Sequence, residues 1–99
     1  MATRLEEAEI AKSLDDLNEI AGDTPWIIKE GKLSKTFKFK SFIRAFGWMS
    51  QIAIWAEKLK HHPEWFNVYN TVEVQLVTHD VNGLSELDFQ LATKMETFK

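Results

Sequence analysis

Apolar residues recur at helical spacing in three stretches of the chain, near its start, its middle and its end. In the first stretch, which Gly22 ends, they are Ile10, Leu14, Leu17 and Ala21. In the last, which follows Asn82-Gly83, they are Leu84, Leu87, Leu91, Met95 and Phe98. Thr3 with Glu6 predicts a capping box for the first helix, and Ser85 is the expected cap of the last.

The middle helix is predicted from Ser41, its cap, to about Lys60, because Pro63 restricts the preceding residue and ends the helix nearby. This helix carries two apolar stripes. One is Phe42, Phe46, Met49, Ala53 and Ala56, and the other is Ala45, Trp48, Ile52, Trp55 and Leu59. One stripe can pack on a sheet. We expect the second, with its two tryptophans, to contact another copy of the chain, since a short domain has few elements left to cover it. Deep burial within a single chain is the alternative.

Between the helices the pattern changes to the alternation that is typical of strands. Trp26 to Lys29 and Leu33 to Lys40 flank a Glu30-Gly31 turn, and Trp65 to Tyr69 precedes an alternating run from Val72 to Thr78, joined through Asn70-Thr71. The predicted order is αββαββα. It indicates an α+β fold in which helices cover one face of a four-stranded antiparallel sheet, with residues 1–99 as one domain.

Composition removes several classes of function. The net charge of -3 is unlike the basic surfaces that bind phosphate backbones, so we expect no direct nucleic-acid contact. The chain has no cysteine, which excludes thiol nucleophiles and thiolate metal sites. No apolar run approaches the ~20 residues of a membrane span, and no signal segment is evident at the start. We therefore expect a cytoplasmic protein, with the nucleus open to so small a chain.

Two of the three histidines, His61 and His62, lie where the middle helix must end. Glu57 is four residues before His61, so the two side chains should lie on one face of the helix within reach of each other. His79 follows the last predicted strand, so the three rings could meet in one pocket. Imidazole can give or take a proton near neutral pH, which suits an elimination or a hydration. The same residues could instead be ordinary charges at a helix end, and Asp88 could simply cap the last helix. Zinc is disfavoured, because no known zinc spacing is present.

These residues resemble the signature of the pterin-4a-carbinolamine dehydratases. The matching positions are Glu57, His61-His62-Pro63, Tyr69, His79 and Asp88. The likeness continues through KFKSFIRAFGWMSQIAIWAEKLKHHPEWFNVYN and THDVNGLSELDFQLA. It implies that 4a-hydroxytetrahydrobiopterin loses water to give quinonoid dihydrobiopterin, in the recycling of tetrahydrobiopterin, without a metal or a redox cofactor.

The resemblance also implies residue roles. His61 and His79 would transfer protons around the 4a-hydroxyl, while His62 would mainly hold the substrate. Glu57 would bond the N–H edge of the pterin or orient His61, and Asp88 would set a histidine tautomer. The substrate-binding residues it implies are Glu57, His61, His62, Pro63, Thr78, His79, Asp80 and Val81, of which the three histidines are catalytic.

Two kinds of protein partner follow from the resemblance. The first is the chain itself, in a homotetramer built as a dimer of dimers in which the middle helices meet through Ala45, Trp48, Ile52, Trp55 and Leu59. The second is a homeodomain transcription factor, because some members of the family bind its dimerisation segment and stabilise its dimer without touching DNA. This coactivator role is the alternative function that the sequence leaves open.

Overall fold

The computed structural model describes residues 2–99, and its elements follow the predicted order αββαββα. They are α1 (Glu7–Ala21), β1 (Ile27–Lys29), β2 (Lys32–Lys38), α2 (Phe42–Leu59), β3 (Glu64–Val68), β4 (Thr71–Leu76), a short 3-10 helix η1 (His79–Val81) and α3 (Glu86–Thr97). Ser41 caps α2 and Ser85 caps α3, as the sequence predicts. The α+β fold is therefore confirmed.

The sheet consists of two antiparallel hairpins joined through their inner strands, in the order β1-β2-β4-β3. Glu30 and Gly31 both have positive φ, 52° and 77°, as a tight two-residue hairpin turn requires. The second turn lies at Tyr69-Asn70, one residue earlier than predicted, with Tyr69 at φ 50°. The second strand of this hairpin, β4, ends at Leu76, close to η1 and the start of α3.

One face of the sheet carries the core and the other is left uncovered. The residues of β2 and β4 that point to the core are Leu33, Lys35, Phe37, Val72, Val74 and Leu76, all of them buried. The helices cover this face, and α3 contacts both α1 and α2. On the opposite face Phe66 and Glu73, which are cross-strand partners, are exposed.

The middle helix turns its second stripe inward, so the prediction that this stripe forms an interface is wrong. Ala45 and Ile52 are 0% exposed, and the indole N–H of Trp48 donates to the backbone oxygen of Met95 at 3.0 Å. Trp55 and Leu59 are partly buried against the same core. The element that covers this stripe is α3, which the prediction from the sequence did not take into account.

The opposite side of α2 is apolar and exposed. Phe42 and Phe46, which belong to the other stripe, are about half exposed, and Ile43 and Ile54 are 72% and 59% exposed. Spacing alone could not decide which of two apolar faces points inward. Despite this apolar character, no helix within residues 2–99 has the length and hydropathy that a membrane crossing needs.

The first helix begins later than predicted. Glu6, and not Thr3, is its N-cap, and Glu6 forms the capping box with Glu9. Residues 2–5 therefore form a non-helical segment before α1. The backbone N–H of Leu5 ties this segment to the oxygen of Leu84 at 2.8 Å.

A buried ion pair fastens the end of α3 to the first hairpin. The ammonium of Lys35, which shares the inward face of β2 with Leu33 and Phe37, lies 2.5 Å from the carboxylate of Glu96 inside the core. The indole N–H of Trp26 donates to the same carboxylate oxygen at 2.8 Å, and the ammonium of Lys99 lies 2.6 Å from the other. Burial lowers the pKa of Lys35, and the hydrogen bond to Glu96 opposes this shift.

Candidate active site

The buried carboxylate of Asp88 joins three segments of the chain. Its Oδ1 accepts a hydrogen bond from Nε2 of His61 at 2.6 Å. Its Oδ2 accepts from the backbone N–H of Ser85 at 2.9 Å and from the hydroxyl of Thr78 at 2.8 Å. Asp88 thus completes the capping box of α3 and also pairs with a histidine, so the two roles weighed for it from the sequence occur together.

The direction of these hydrogen bonds is fixed by the hydrogens available. Thr78 has one hydroxyl hydrogen and gives it to Asp88, so the hydroxyl of Ser85 donates to Thr78 Oγ1 across 2.7 Å. As a carboxylate, Asp88 can only accept, and Nε2 of His61 therefore carries its hydrogen. In the neutral ring the other nitrogen, Nδ1, then has the lone pair.

The end of α2 directs His61 inward. Lys60 takes the left-handed conformation at φ 54°, and the backbone N–H of His61 bonds to the oxygen of Ala56 at 3.0 Å. His61 is 8% exposed and lines a cavity of about 660 Å³ together with Thr78 and Asp80. A ring with one nitrogen held by a buried acid and with access to a cavity is equipped to move a proton.

Glu57 pairs with His62 and not with His61, which corrects the prediction from helical spacing. The carboxylate of Glu57 lies 2.5 Å from Nε2 of His62, and both side chains are largely exposed. Helical geometry would bring residues four apart together, but the left-handed Lys60 ends the helix between them. This turn instead brings His62, five residues after Glu57, next to the carboxylate.

His79, the first residue of η1, pairs with Glu64, which the sequence argument did not identify. Nε2 of His79 lies 3.0 Å from one carboxylate oxygen of Glu64, and the ammonium of Lys32 lies 2.7 Å from the other. The hydrogen bond from Lys32, followed by that from His79, lowers the pKa of Glu64 below its ordinary value of 4.5. Glu64 directly follows His61-His62-Pro63 in the sequence, and this position was a usable signal that its carboxylate lies near the histidines.

Pro63 before β3 and Asp80 and Val81 in η1 lie at the same end of the sheet as His79, whereas Tyr69 lies in the turn between β3 and β4 at the other end. His79 lines a second cavity, of about 740 Å³, and the two cavities share Arg4 and Leu5 as lining residues. Each of the three histidines is paired with a different carboxylate, and nowhere in residues 2–99 do three or more such groups come together as a metal site would require.

The fold and these pairs define a class: a small α+β protein with carboxylate-paired histidines at the end of its sheet. Residues 3–98 match the family described as Pterin 4 alpha carbinolamine dehydratase. The chain belongs to this family, and the resemblance seen in the sequence is confirmed.

Known proteins resemble the chain along nearly its whole length. A protein of Jannaschia sp. (strain CCS1), provisionally named a pterin-4-alpha-carbinolamine dehydratase, is 56% identical over 98 residues, which are 97% of this chain and 96% of that protein. One from Solibacter usitatus (strain Ellin6076), with the same provisional name, is 45% identical over 96 residues, 97% of this chain and 95% of its own. The crystal structure of a transcriptional coactivator/pterin dehydratase from Brucella melitensis has a TM-score of 0.86 and 47% identity, and the match covers 97% of this chain and 98% of that one.

The ion pairs of Glu64 predict how acid destabilises the chain. Because Lys32 and His79 lower the pKa of Glu64 in the folded state, its contribution to stability is present above the ordinary value of 4.5 and is lost as pH falls through the lower, folded value. Urea denaturation followed from about pH 6 to about pH 3 should show a shallower acid loss in Glu64→Gln than in the unaltered chain.

The matched control is Glu73→Gln. Glu73 is an exposed carboxylate on the uncovered face of the sheet, and it forms no ion pair with any residue from 2 to 99. Its variant should keep the acid dependence of the unaltered chain. If Glu64→Gln and Glu73→Gln behave alike, the pairs of Glu64 do not stabilise the fold.

Proposed function

We propose that the chain removes water from a pterin 4a-carbinolamine by acid-base catalysis with histidine. The observation that carries this proposal is the pairing of His61 with the buried Asp88, at 2.6 Å, beside a cavity large enough for a bicyclic ring. Membership of the dehydratase family supports the substrate class.

The reaction moves two protons and exchanges no electrons with a cofactor. The bond between C4a and its hydroxyl breaks, and the oxygen leaves with the electron pair. An acid protonates this oxygen so that it departs as water, while a base takes the hydrogen of a ring nitrogen whose electron pair forms the new C=N bond. Two imidazoles in opposite protonation states can perform both transfers.

We assign the two transfers to His61 and His79, with His62 holding the substrate. Asp88 fixes the ring of His61, and Glu64 does the same for His79 from the start of β3. Glu57 keeps its proposed contact with the N–H edge of the pterin, now together with His62, its partner in the chain. The backbone of Pro63, Thr78, Asp80 and Val81 would line the ring.

Loss of either catalytic histidine should slow the dehydration, and loss of His61 should also lower stability because it leaves the buried carboxylate of Asp88 without one of its partners. His61→Ala or His79→Ala should lower the rate by about 10²- to 10⁴-fold, the usual contribution of one acid-base group. Stopped-flow measurement of the disappearance of the 4a-carbinolamine checks this, with circular dichroism as a test of folding. Rates near that of the unaltered chain in both variants would contradict the mechanism.

We propose further that copies of the chain associate through the exposed face of α2. This face consists of Phe42, Ile43, Phe46 and Ile54, with small residues between them. Leaving such side chains in water forgoes roughly 1.5 to 3 kcal/mol each, and a contiguous patch of this kind is typical of an interface. A symmetric arrangement allows the same face to serve every copy, and the family resemblance implies a tetramer.

A tetramer of 11.5 kDa chains should scatter light as a particle of about 46 kDa. Phe46→Glu should give smaller species that remain folded, because the copies would bring like charges together. Gln51→Glu adds the same charge at an exposed position outside this face and should keep the mass. Ile52→Glu should unfold the chain, since Ile52 is fully buried. A mass of 11.5 kDa for the unaltered chain at high micromolar concentration would contradict the association.

The exposed face of α2 also supports the coactivator role as a second candidate. A protein that stabilises a transcription factor without touching DNA needs an apolar surface for protein contacts, and this face supplies one. The Brucella melitensis relative is described as both a coactivator and a pterin dehydratase. Immobilised chain should retain the dimerisation peptide of a homeodomain factor, and Phe46→Glu should not. If neither the unaltered chain nor Phe46→Glu retains the peptide, the coactivator role is contradicted.

A further inference from the structure

The segment of residues 2–5 runs along both cavities. Ala2 and Thr3 line the cavity of His61, while Arg4 and Leu5 line both this cavity and that of His79. The hydrogen bond from Leu5 to Leu84 holds the segment against the loop that follows η1. Arg4 and Leu5 therefore lie beside the cavities of both histidines that we assign to proton transfer.

The side chain of Arg4 lies across Gly83. A Cβ added at Gly83 would sit 2.8 Å from Nε of Arg4 and 3.3 Å from its Cδ, so the bare backbone leaves the room that Arg4 occupies. Gly83 and Thr78 exchange backbone hydrogen bonds of 2.9 and 3.4 Å. Arg4 consequently packs on the loop that also carries a partner of Asp88.

The guanidinium of Arg4 has donors that the chain does not use. It is always charged and offers five N–H groups, and it forms no hydrogen bond or ion pair with any residue from 2 to 99. Lys32, a cation on the cavity of His79, is engaged by Glu64, and Lys60 lines only the cavity of His61. Arg4 is thus an unpaired cation at the boundary between the cavities.

A pterin presents a ring carbonyl beside the N–H groups of its pyrimidine edge. Carboxylates such as Glu57 and Asp80 can accept from the N–H groups, but a carbonyl oxygen needs a donor. We infer that Arg4 donates a hydrogen bond to the ring carbonyl of a pterin that lies across both cavities between His61 and His79. This inference rests on the proposed function, and it assigns Arg4 to substrate binding and not to proton transfer.

Calorimetric titration with 7,8-dihydrobiopterin, which has no 4a-hydroxyl to lose, tests the contact. Arg4→Ala should weaken binding about 10- to 100-fold, as expected for the loss of one charge-assisted hydrogen bond. Gly83→Ala keeps the guanidinium but fills the space beneath it, and should weaken binding in the same direction. Arg44→Ala removes the other arginine of the chain, which is exposed near the start of α2, and should bind like the unaltered chain.

The kinetics of the 4a-carbinolamine provide a second measurement. Because Arg4 contacts the ring equally before and during the reaction, Arg4→Ala should raise KM and leave kcat nearly unchanged. If Arg4→Ala binds the probe as tightly as the unaltered chain, or lowers kcat alone, the inference is overturned and the proposed function stands. If the unaltered chain binds no dihydrobiopterin, the inference about Arg4 and the proposed function are both overturned.

Discussion

The carboxylate of Asp88 holds together the three segments from which the site is built. It is fully buried and accepts hydrogen bonds from His61 after α2, Thr78 after β4 and Ser85 before α3. Burying a charged group is costly unless its hydrogen bonds are made, so these partners must keep their places for the carboxylate to remain inside. Capping α3 and fixing the ring of His61 are consequences of the same contact.

The other two histidines are also paired with carboxylates, but these pairs are exposed to solvent. His62 pairs with Glu57, and His79 with Glu64, between side chains that are much more exposed than Asp88. Exposed ion pairs contribute little to stability, so these two pairs can open at low cost. His61 and His79 line neighbouring cavities that only the folded chain brings together, while His62 lies exposed after the end of α2.

The sequence predicted the fold well because its local signals agree with one another. Ser41, Ser85, Gly22 and the Glu30-Gly31 turn each mark an element boundary by backbone chemistry that needs no knowledge of the rest of the chain. Contacts between distant elements were beyond such signals. The inward face of α2 depends on α3, and the partner of Glu57 depends on the single left-handed residue Lys60. The positions of Glu64 beside His79 and of Arg4 beside both cavities could not be predicted for the same reason. They depend on how β3, η1 and the N-terminal segment lie relative to one another.

The contact between Nε2 of His61 and Asp88 predicts that Asp88 fixes the tautomer of this ring and leaves Nδ1 without a hydrogen. Nitrogen-15 NMR of the histidine rings tests it most directly, because the shifts of the two ring nitrogens show which one carries the hydrogen in the neutral ring. We expect that Nε2 of the neutral His61 ring carries the hydrogen and Nδ1 does not, and that Asp88→Ala removes this preference. A neutral His61 with its hydrogen on Nδ1, or a tautomer that is unaffected by the loss of Asp88, would contradict it.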